Sequence, residues 1–584
     1  MTHPISPDRP QDAPALSYEL RLMQTQAATG YFMPVPKNTP GFEETLAYLR
    51  DHPNDTFMHR YGLQLLMAMP FDQVRDMTAR ANPAPVLTAL LMEAALTSEV
   101  LMPLQDRFTP AMWSVYRQDT PLLILRSEHQ ADQGRHRQWT AVLKRNLQHH
   151  QPLPPLSETH LPPLYGQGQA RAWIDLDEIP ISSQAMATSL EMPDFETVYE
   201  TAMQGLERLG ILAENEMRHE SSLSPVALLR RWQMQVQVRQ DRHRFYFSGL
   251  QTSYGKGLSL ERARASCAME IVERCSSFTS VADDRLPDTA RGHHLRRARL
   301  SELNAEGLRA LNPDALGLEA PYEDQPLYWI QGEAADASGD PAAILVPFQA
   351  VFLFSNLDEI DLFSGLGSTG LAAGGTLAQA KFHALLECIE RDAEAVSLFN
   401  GKNCFRLASR DAAVGSLLAD YRQRGIDVIF QDCCSGLGVP CYKCFVYGPG
   451  PDELAKGTSA HFAGWQAALS ALTETPYPYP HGPASRPGPV DLPVRYLEAL
   501  PDYSSGNMAA DLQRLETLLA ANQLHPVYVD LTRRDLAIPV VRALVPGLEL
   551  MADYDRFARV GPRLYWNSLA LMDHSGASRS VNRN

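Results

Sequence analysis

The chain has 584 residues, of which 45% are hydrophobic and 21% are charged, and its formal net charge at pH 7 is −16. This length exceeds what one ordinary hydrophobic core supports, so we expect a globular protein of two or more domains. The strong negative charge argues against a nucleic-acid or anionic-membrane partner, because both would repel the chain.

Several absences point to the reducing interior of the cell. No apolar run approaches the roughly 20 residues that span a bilayer. The N-terminus, MTHPISPDRPQDAP, has no apolar core of the kind found in secretory signals. All eight cysteines lie beyond residue 260, several of them inside predicted helices and strands, which is typical of reduced thiols. We therefore predict a cytoplasmic protein.

The N-terminal third predicts a mostly α-helical domain. Residues 1–15 are predicted to be disordered. The segments FEETLAYLRDH (42–52) and APVLTALLMEAALTSEVLMPL (84–104) carry apolar residues at three- and four-residue spacing. A proline-rich connection with QPLPPL and HLPPLYGQGQ follows. We therefore assign residues 16–190 to a mostly α-helical N-terminal domain with a proline-rich linker.

Residues 191–570 predict a mixed α/β domain. FETVYETAMQGLERLGIL is an amphipathic helix, and HRFYFSGLQTSYGKG is a strand that leads into a second helix. Further strands are predicted for PLYWIQGEA, AAILVPFQAVFLF, IDVIFQDCC, VPCYKCFVYG and HPVYVDLT. TPYPYPHGPASRPGPVDLP (475–493) is too rich in proline to be anything but a loop. Residues 571–584 are predicted to be a polar tail.

Two stretches of this domain are versions of each other. They are GKGLSLERARASCAMEIVERC and GGTLAQAKFHALLECIERDA. Glu270 and Glu387 are 117 positions apart, and so are Glu273 and Glu390. Each stretch predicts a glycine-rich turn, a Ser or Thr that begins a helix, and two glutamates on one helical face. A single such pair is usually solvated surface, but two matched copies indicate an internally duplicated strand–helix unit.

Duplicated units tend to pack against each other, which would bring the four glutamates together. Carboxylates so placed repel one another by about 4 kcal/mol per close pair at an effective dielectric constant of 20, so protons or cations must neutralise some of them. Oxygen ligands suit Mg²⁺, and glycine turns at helix N-termini suit anionic oxygens. The pattern therefore predicts a Mg·ATP site, although GxxxxGK[ST] does not occur in the sequence.

The same residues resemble a known family. GKG, RASCAMEIVER, STGLAAGGTLAQAKFHALLECIERDA and PVVRALVPGLE, in this order, are similar to the motifs of the YcaO family, over roughly residues 190–570. The resemblance implies an α/β fold and an ATP site in which glutamates hold Mg²⁺. It also implies activation of a peptide backbone amide by phosphorylation of its oxygen, after which a nucleophile gives an azoline, a thioamide or an amidine. Matched by motif, the residues expected to bind ATP are Lys256, Ser266, Glu270, Glu273, Gln379, Glu387, Glu390, Arg391 and Arg542, with the four glutamates also holding the metal.

The sequence departs from the family pattern in places. Gly375 and Gln379 stand where an asparagine and a glutamate are frequent, and Thr369 and Ser470 replace a common asparagine and a common arginine. Azoline-forming members usually end in PxPxP, whereas the PxPxP of this chain is internal, at residues 476–480. Azoline formation is therefore disfavoured relative to thioamidation or an accessory role.

Other candidate motifs favour ordinary roles. GLGSTG (365–370) matches a dinucleotide-binding pattern, but no Rossmann unit surrounds it. A zinc site formed by Cys433, Cys434, Cys441 and Cys444 is disfavoured, because a strand at VPCYKCFVYG would send Cys441 and Cys444 to opposite faces. Two assignments stay open at this point: His383 as a nucleotide contact or a structural hydrogen-bonding group, and Lys256 as a phosphate ligand or a solvated lysine.

The leading hypothesis is an ATP- and Mg²⁺-dependent enzyme that activates a peptide or protein backbone amide, with the N-terminal domain engaging the substrate or a partner. No catalytic residue is assigned. One alternative is a non-catalytic ATP-binding accessory factor for another modification enzyme, such as a ribosomal-protein methylthiotransferase, and a weaker one is an ATP-dependent ligase acting on free carboxylates. The partners to consider are a peptide or protein substrate, a sulfur-donor or other partner protein, and a second copy of the chain.

Overall fold

The fold is known from a computed structural model, which describes residues 16–23, 31–80, 84–166, 172–181, 193–336, 339–434, 436–549, 554–555 and 557–580. Within these ranges helices alternate with strands of three sheets, so the predicted mixed α/β class is confirmed. The predicted disordered segment 1–15 lies outside the described residues. No helix of the described ranges has the length and apolar character needed to cross a membrane.

The N-terminal part begins with two strands and continues as helices. The strands are β1 (Leu16–Met23) and β2 (Tyr31–Pro36). The helices are α1 (Phe42–Asp51), α2 (Thr56–Met67), α3 (Phe71–Arg80), α4 (Pro85–Thr97), α5 (Pro110–Tyr116), α6 (Ile124–Glu128) and α7 (Gln133–His149). The strands were not expected in a mostly helical segment, and their partners lie far away in the chain.

The first sheet joins the N-terminal strands to the strands that precede the first glutamate helix. After α8 (Phe195–Leu209) come β3 (Met217–Arg218), β4 (Val226–Gln240), β5 (His243–Gly257), α9 (Leu260–Ser277) and β6 (Val281–Ala282). The strand order is β2-β1-β5-β4-β3, with β6 paired to the far part of β4. β1 runs parallel to β5, with Leu16 opposite Phe245. Strict alternation of buried and exposed residues from Arg231 to Gln240 explains why β4 is a strand.

The second sheet carries the remaining motif residues. The elements between β6 and the second glutamate helix are β7 (Arg296–Ala298), α10 (Leu300–Ala305), β8 (Leu327–Ala335), β9 (Pro341–Pro347) and β10 (Leu371–Ala373), followed by α11 (Leu377–Val396). Near the C-terminus the sheet receives β16 (Val527–Asp530) and β17 (Val540–Leu544), giving the order β10-β17-β16-β8-β7, with β9 on β8. α11 lies against this sheet.

The third sheet is built from β11 (Cys404–Ala408), β12 (Ile429–Asp432), β13 (Cys441–Tyr447), β14 (Leu454–Ala460) and β15 (Val494–Tyr496), in the order β14-β13-β12-β11-β15. The accompanying helices are α12 (Ala412–Gln423), α13 (Gly464–Glu474) and α14 (Met508–Ala521), and the described chain ends with α15 (Pro562–Ser580). The segment predicted as a polar tail is therefore helical as far as Ser580. The proline-rich segment 475–493 is a loop, as expected.

The duplication seen in the sequence is repeated in the local structure of α9 and α11. Ser259 and Thr376 are the N-cap residues, and the side-chain oxygen of each accepts the backbone N–H three residues later. Gly257 and Gly374 precede them, and a Cβ at either position would lie 3.2 Å or 2.6 Å from the backbone nitrogen of Ala263 or Ala380. Each turn therefore lies close against its own helix, and glycine at these two positions permits the contact.

Candidate nucleotide and metal site

α9 and α11 bring their glutamates close together, so that Glu387 adds to the rise that burial causes in the pKa of Glu273. We call the region around Glu270, Glu273, Glu387 and Glu390 the cleft. Glu270 accepts the backbone N–H of Tyr254 from β5 at 2.9 Å. The backbone N–H of Gly370 opposes the rise in pKa that burial causes at Glu387, its counterpart. Gly370 has φ +79, and a Cβ there would lie 2.2 Å from the carbonyl oxygen of Ala543 on β17, so glycine permits this close approach to β17. In both copies a backbone amide of the preceding segment therefore favours the charged form of the first glutamate.

The arginine that follows each glutamate pair is placed differently in the two copies. Arg274 lies 3.8 Å from Glu270 and 3.6 Å from Glu273, so it contacts both glutamates of its helix. Arg391 lies 3.3 Å from Glu390, but its other nitrogen donates to Glu394 at 3.1 Å rather than to Glu387. The position that matches Glu394 on α9 is Ser277. Glu394 therefore breaks the equivalence of the two halves.

Arg542 from β17 adds a third positive charge near Glu387, after those of Arg391 and Arg274. It is 1% exposed, and one terminal nitrogen donates to the carbonyl oxygen of Gly367 at 3.0 Å. Its Nε has no hydrogen-bond partner among the described residues. Burial lowers the pKa of Arg542 to about 10, against the opposing effect of Cys388 and Glu387. A buried guanidinium with a spare donor is suited to an anionic oxygen of a ligand.

Glu474, at the end of α13, connects the two halves electrostatically. It forms an ion pair of 2.5 Å with Lys256 of the glycine turn. Its charge also raises the pKa of both Glu270 and Glu390, in each case as a smaller contribution than burial. Glu474 is the last residue of the segment GWQAALSALTE. The sequence of that segment does not indicate that Glu474 lies near both glutamate helices.

Burial raises the pKa of all four glutamates, despite the arginines beside them. Burial, followed by the neighbouring Glu387, raises the pKa of Glu273 to about 8 despite Arg274. Burial and Glu387 likewise raise the pKa of Glu390 to about 8 despite Arg391. Burial also raises the pKa of Glu270 and Glu387. Raised pKa values favour the protonated carboxyl groups unless a cation is bound, and the binding of a cation by these four glutamates stays a prediction.

The carboxylates do not form a tight metal cage by themselves. Among the residues that the structure describes, no three His, Cys, Asp or Glu side chains are grouped as a ligand set. Mg²⁺ is usually held by one or two carboxylates together with phosphate oxygens and water, so two separated glutamate pairs fit a cation that arrives with a nucleotide. Which of the four glutamates bind the metal stays a prediction.

The other predicted nucleotide ligands differ in exposure and in their side-chain contacts. Ser266 is exposed one helical turn before Glu270. Lys256 is engaged with Glu474, which argues against the solvated lysine that the sequence left open. Gln379 turns back on its own helix start, where its Oε1 accepts the N–H of Gly375 at 2.8 Å. At position 379 the chain therefore has an amide in place of a carboxylate, and the oxygen of that amide is bound to the N–H of Gly375.

Two histidines beside the cleft are held neutral. His383 lies one turn before Glu387, at the position that matches Ser266, and burial lowers its pKa to about 4. Burial and the neighbouring His383 lower the pKa of His461 to about 4, and the ring Nδ1 of His461 accepts the backbone N–H of Ala463 at 3.0 Å. The sequence singled out His383 by its spacing from Glu387, whereas His461 lies in a loop without any motif.

Two of the four cysteines considered for a zinc site are buried strand thiols. Cys441 and Cys444 are both fully buried in β13, and burial raises the pKa of the Cys444 thiol to about 12. Cys433 and Cys434 follow β12 instead, and Cys434 is exposed. The prediction of buried strand thiols therefore holds for Cys441 and Cys444 and is wrong for Cys434.

Comparison with known families gives the site its context. A family model described as "YcaO cyclodehydratase", ATP- and Mg²⁺-binding, matches residues 254–477 and 475–549. The chain belongs to the YcaO family. The matched residues include both glutamate helices, Glu474 and Arg542. The predicted cofactors of this YcaO protein, ATP and Mg²⁺, are thereby confirmed, whereas the roles of the individual residues remain predictions.

Relatives of this YcaO protein are known from sequence and structure. An uncharacterized protein of Methanothermobacter thermautotrophicus is 29% identical over 342 residues, which are 52% of this chain and 84% of the relative. The structure of YcaO from Methanopyrus kandleri bound with AMPPCP and Mg²⁺ has 21% identity and a TM-score of 0.43, over 61% of this chain and 91% of that one. A heterocyclase in complex with substrate and cofactor has 18% identity and a TM-score of 0.47, over 64% of this chain and 55% of that one. The chain thus spans just over half the heterocyclase, and both TM-scores are too low to support a functional argument.

Proposed function

We propose that this YcaO protein uses Mg·ATP to phosphorylate the oxygen of a peptide or protein backbone amide, which a nucleophile then attacks at carbon. ATP would supply the phosphoryl group, and Mg²⁺ would neutralise its charge. The new P–O bond forms at the amide oxygen while ADP leaves, and phosphate departs when the nucleophile replaces it. With sulfide as the nucleophile the product is a thioamide, and with a Cys, Ser or Thr side chain it is an azoline.

One observation carries the proposal: two glutamate pairs with raised pKa values share a cleft with three guanidinium groups. The glutamates would bind the cation, and its binding would release their protons. Arg274 and Arg391 lie beside them, and the unpartnered Nε of Arg542 can donate to a phosphate oxygen. Such a site acts by positioning and by stabilising charge on a transferring phosphoryl group.

A second candidate is a non-catalytic ATP-binding accessory factor. The observation that favours it is Gln379, whose amide oxygen is bound to Gly375 instead of facing the cleft. Because Gln379 replaces a glutamate that is frequent in the family, this protein would bind the nucleotide but transfer its phosphoryl group weakly or not at all. Both candidates need the same glutamates for binding, so turnover distinguishes them.

The test combines binding and turnover. Affinity for Mg·AMPPCP is measured by calorimetry for the wild type, Glu270→Gln, Glu387→Gln and the control Glu200→Gln, an exposed residue of α8. We expect at least a tenfold loss for the first two variants and no change for the control. Peptide pools with sulfide are then assayed for phosphate release and for a change in peptide mass. Binding without turnover would support the accessory role, and unchanged binding in Glu270→Gln and Glu387→Gln would reject the site itself.

A further inference from the structure

A second concave region lies at the end of α11, away from the glutamates. It is a cavity of about 1180 Å³, and we call it the rear cavity. Its wall includes Leu398 after α11, Gln431 on β12, Gly547 after β17, and Trp566 and Asn567 on α15, with Trp173 from the linker segment. Small-molecule pockets usually measure about 300–1,000 Å³, so the rear cavity has room for more than one small ligand.

The rear cavity and the nucleotide cleft lie on opposite faces of α11. Successive residues of an α-helix are about 100° apart around its axis, so Asp392 points about 200° away from Glu390. The contacts agree with this geometry. Glu390 accepts the backbone N–H of Ala460 at 3.3 Å, whereas Asp392 forms an ion pair with Arg563 on α15. Ligands in the two places would therefore be separated by the helix.

Most charged side chains around the rear cavity are already compensated. Arg563 pairs with Asp392 and lies 4.5 Å above the ring of Trp173. Asp432 pairs with Arg495 at 2.8 Å. The backbone N–H groups of Arg563 and Leu564 oppose the rise in pKa that burial causes at Glu549. The remaining cation on the wall is Lys402, which is exposed. A phosphate-bearing ligand would find no spare buried cation among these groups, so the rear cavity is poorly suited to a second nucleotide.

What the wall offers is aromatic surface and amide groups. Trp566 provides apolar surface, as does the part of Trp173 that Arg563 and Gly436 leave uncovered, and Asn567 and Gln431 provide amides. Gln431 is fully buried, and its Nε2 donates to the carbonyl oxygen of Leu398 at 3.0 Å, but its Oε1 has no partner in the described part of the chain. A buried acceptor without a donor is destabilising, and a ligand N–H would satisfy it.

We propose that the rear cavity binds an uncharged, apolar segment of the peptide substrate, remote from the amide that is modified. Backbone N–H groups of the peptide would satisfy Gln431, and apolar side chains would pack on Trp173 and Trp566. The proposal rests on the proposed action on peptides and adds where part of the substrate is held and what its chemistry is. An extended peptide advances about 3.3 Å per residue, so a few further residues carry the chain around α11.

The walls of the rear cavity also continue directly from elements of the nucleotide site. Val396 ends α11, which carries Glu387 and Glu390, and Pro546 follows β17, which carries Arg542. A bound peptide segment would therefore touch the same rigid elements that position the nucleotide ligands. This contact gives substrate binding a direct physical connection to the cleft.

The test uses capped tetrapeptides and the full chain. Protein labelled with 5-fluorotryptophan is titrated with acetyl-Gly-Phe-Leu-Gly-amide, and the ¹⁹F signals are assigned with Trp173→Phe and Trp566→Phe. We expect these two signals to shift, and we expect acetyl-Gly-Glu-Asp-Gly-amide and acetyl-Gly-Lys-Lys-Gly-amide to leave them in place. Absence of any shift at millimolar peptide, or equal shifts with all three peptides, would overturn the proposal.

Two variants and a control check the location. Ala570→Phe, on the wall of the cavity, should weaken the Phe-Leu peptide at least tenfold, and Asp573→Phe, exposed on the same helix outside the wall, should not. Gln431→Met should also weaken binding of the Phe-Leu peptide while the protein stays folded. Affinity for Mg·AMPPCP should stay unchanged in all three variants. Peptide binding that survives Ala570→Phe would reject this location, whereas peptide binding without ATP turnover would contradict only the proposed catalysis.

Discussion

Glu273 and Glu390 occupy matching places on α9 and α11, and the pKa of each is raised to about 8, chiefly by burial. An unfolded glutamate ionises near pH 4.5. Between these two pH values the folded protein therefore binds more protons than the unfolded chain. This difference contributes stability that is present at low pH and is lost as the pH rises through about 8.

We therefore predict that the metal- and nucleotide-free protein becomes less stable from pH 5 to pH 8.5. Each such group contributes at most about 1.4 kcal/mol per pH unit. Glu273→Gln, which mimics the protonated side chain, should make the decline shallower, and the exposed control Glu200→Gln should not. Denaturant unfolding in the presence of a chelator measures the slope. Identical slopes for the wild type and Glu273→Gln would contradict the assignment.

The proximity of the four glutamates could be predicted, because a constant offset of 117 positions marks them in the sequence. The residues that surround them, Glu474 and His461, could not be predicted. Glu474 lies near both helices because α13 ends there, and the environment of His461 depends on a loop between β14 and α13. Such positions depend on packing between distant elements, and no periodic pattern in the local sequence indicates them.

At the scale of elements, the two glutamate helices differ in one ion pair. Burial would raise the pKa of Glu394, but Lys456, Lys443 and Arg391 lower it overall, so this carboxylate is charged. It holds Arg391 at 3.1 Å. Arg391 is therefore shared among Glu390, Glu394 and, more weakly, Glu387, which also feels the charges of Arg274 and Arg542, whereas Arg274 contacts both Glu270 and Glu273.

We predict that Glu394→Gln weakens Mg²⁺-dependent nucleotide binding by about threefold to tenfold, which corresponds to about 0.7–1.4 kcal/mol. Without Glu394, Arg391 would turn toward Glu390 and Glu387 and compete with the cation. The Mg²⁺ dependence of AMPPCP binding measures the effect, and the control is Glu207→Gln, at an exposed residue of α8. An unchanged dependence on Mg²⁺ would show that Glu394 does not position Arg391.

The strands show where local pattern is enough and where it is not. β5 follows the predicted segment from His243 to Gly257, because its alternation is clear in the sequence. β1 and β4 also alternate between apolar and polar residues, at LSYELRLM and from Arg231 to Gln240, although neither was predicted to be a strand. What the local pattern does not contain is the pairing of β1 with β5, more than 200 positions away.

At the scale of the whole molecule, the N-terminal segment and the family domain share one hydrophobic core. Tyr18 of β1 packs edge-on against Phe245 of β5, with ring centroids 5.3 Å apart. Asp55 accepts hydrogen bonds from Tyr18 and from Asn356. The boundary predicted near residue 190 therefore separates segments that are joined by a sheet and by buried polar contacts.

We predict that a chain starting at residue 193 does not fold on its own. Removing β1 would leave an unpaired edge on β5 and expose the apolar face around Phe247. Thermal unfolding followed by circular dichroism, together with AMPPCP binding, tests this, and a chain that lacks only residues 1–15 is the control. Cooperative unfolding and full nucleotide affinity in the shorter chain would establish residues 191–570 as an independent domain.

The fixed offset between the glutamate helices has a consequence for stoichiometry. Both halves of the site belong to one polypeptide, so no second subunit has to contribute a carboxylate. One nucleotide should therefore saturate one chain, even at concentrations at which any self-association is reversed. Mutations in the two halves, such as Glu270→Gln and Glu387→Gln, should not rescue each other when the two variant proteins are mixed.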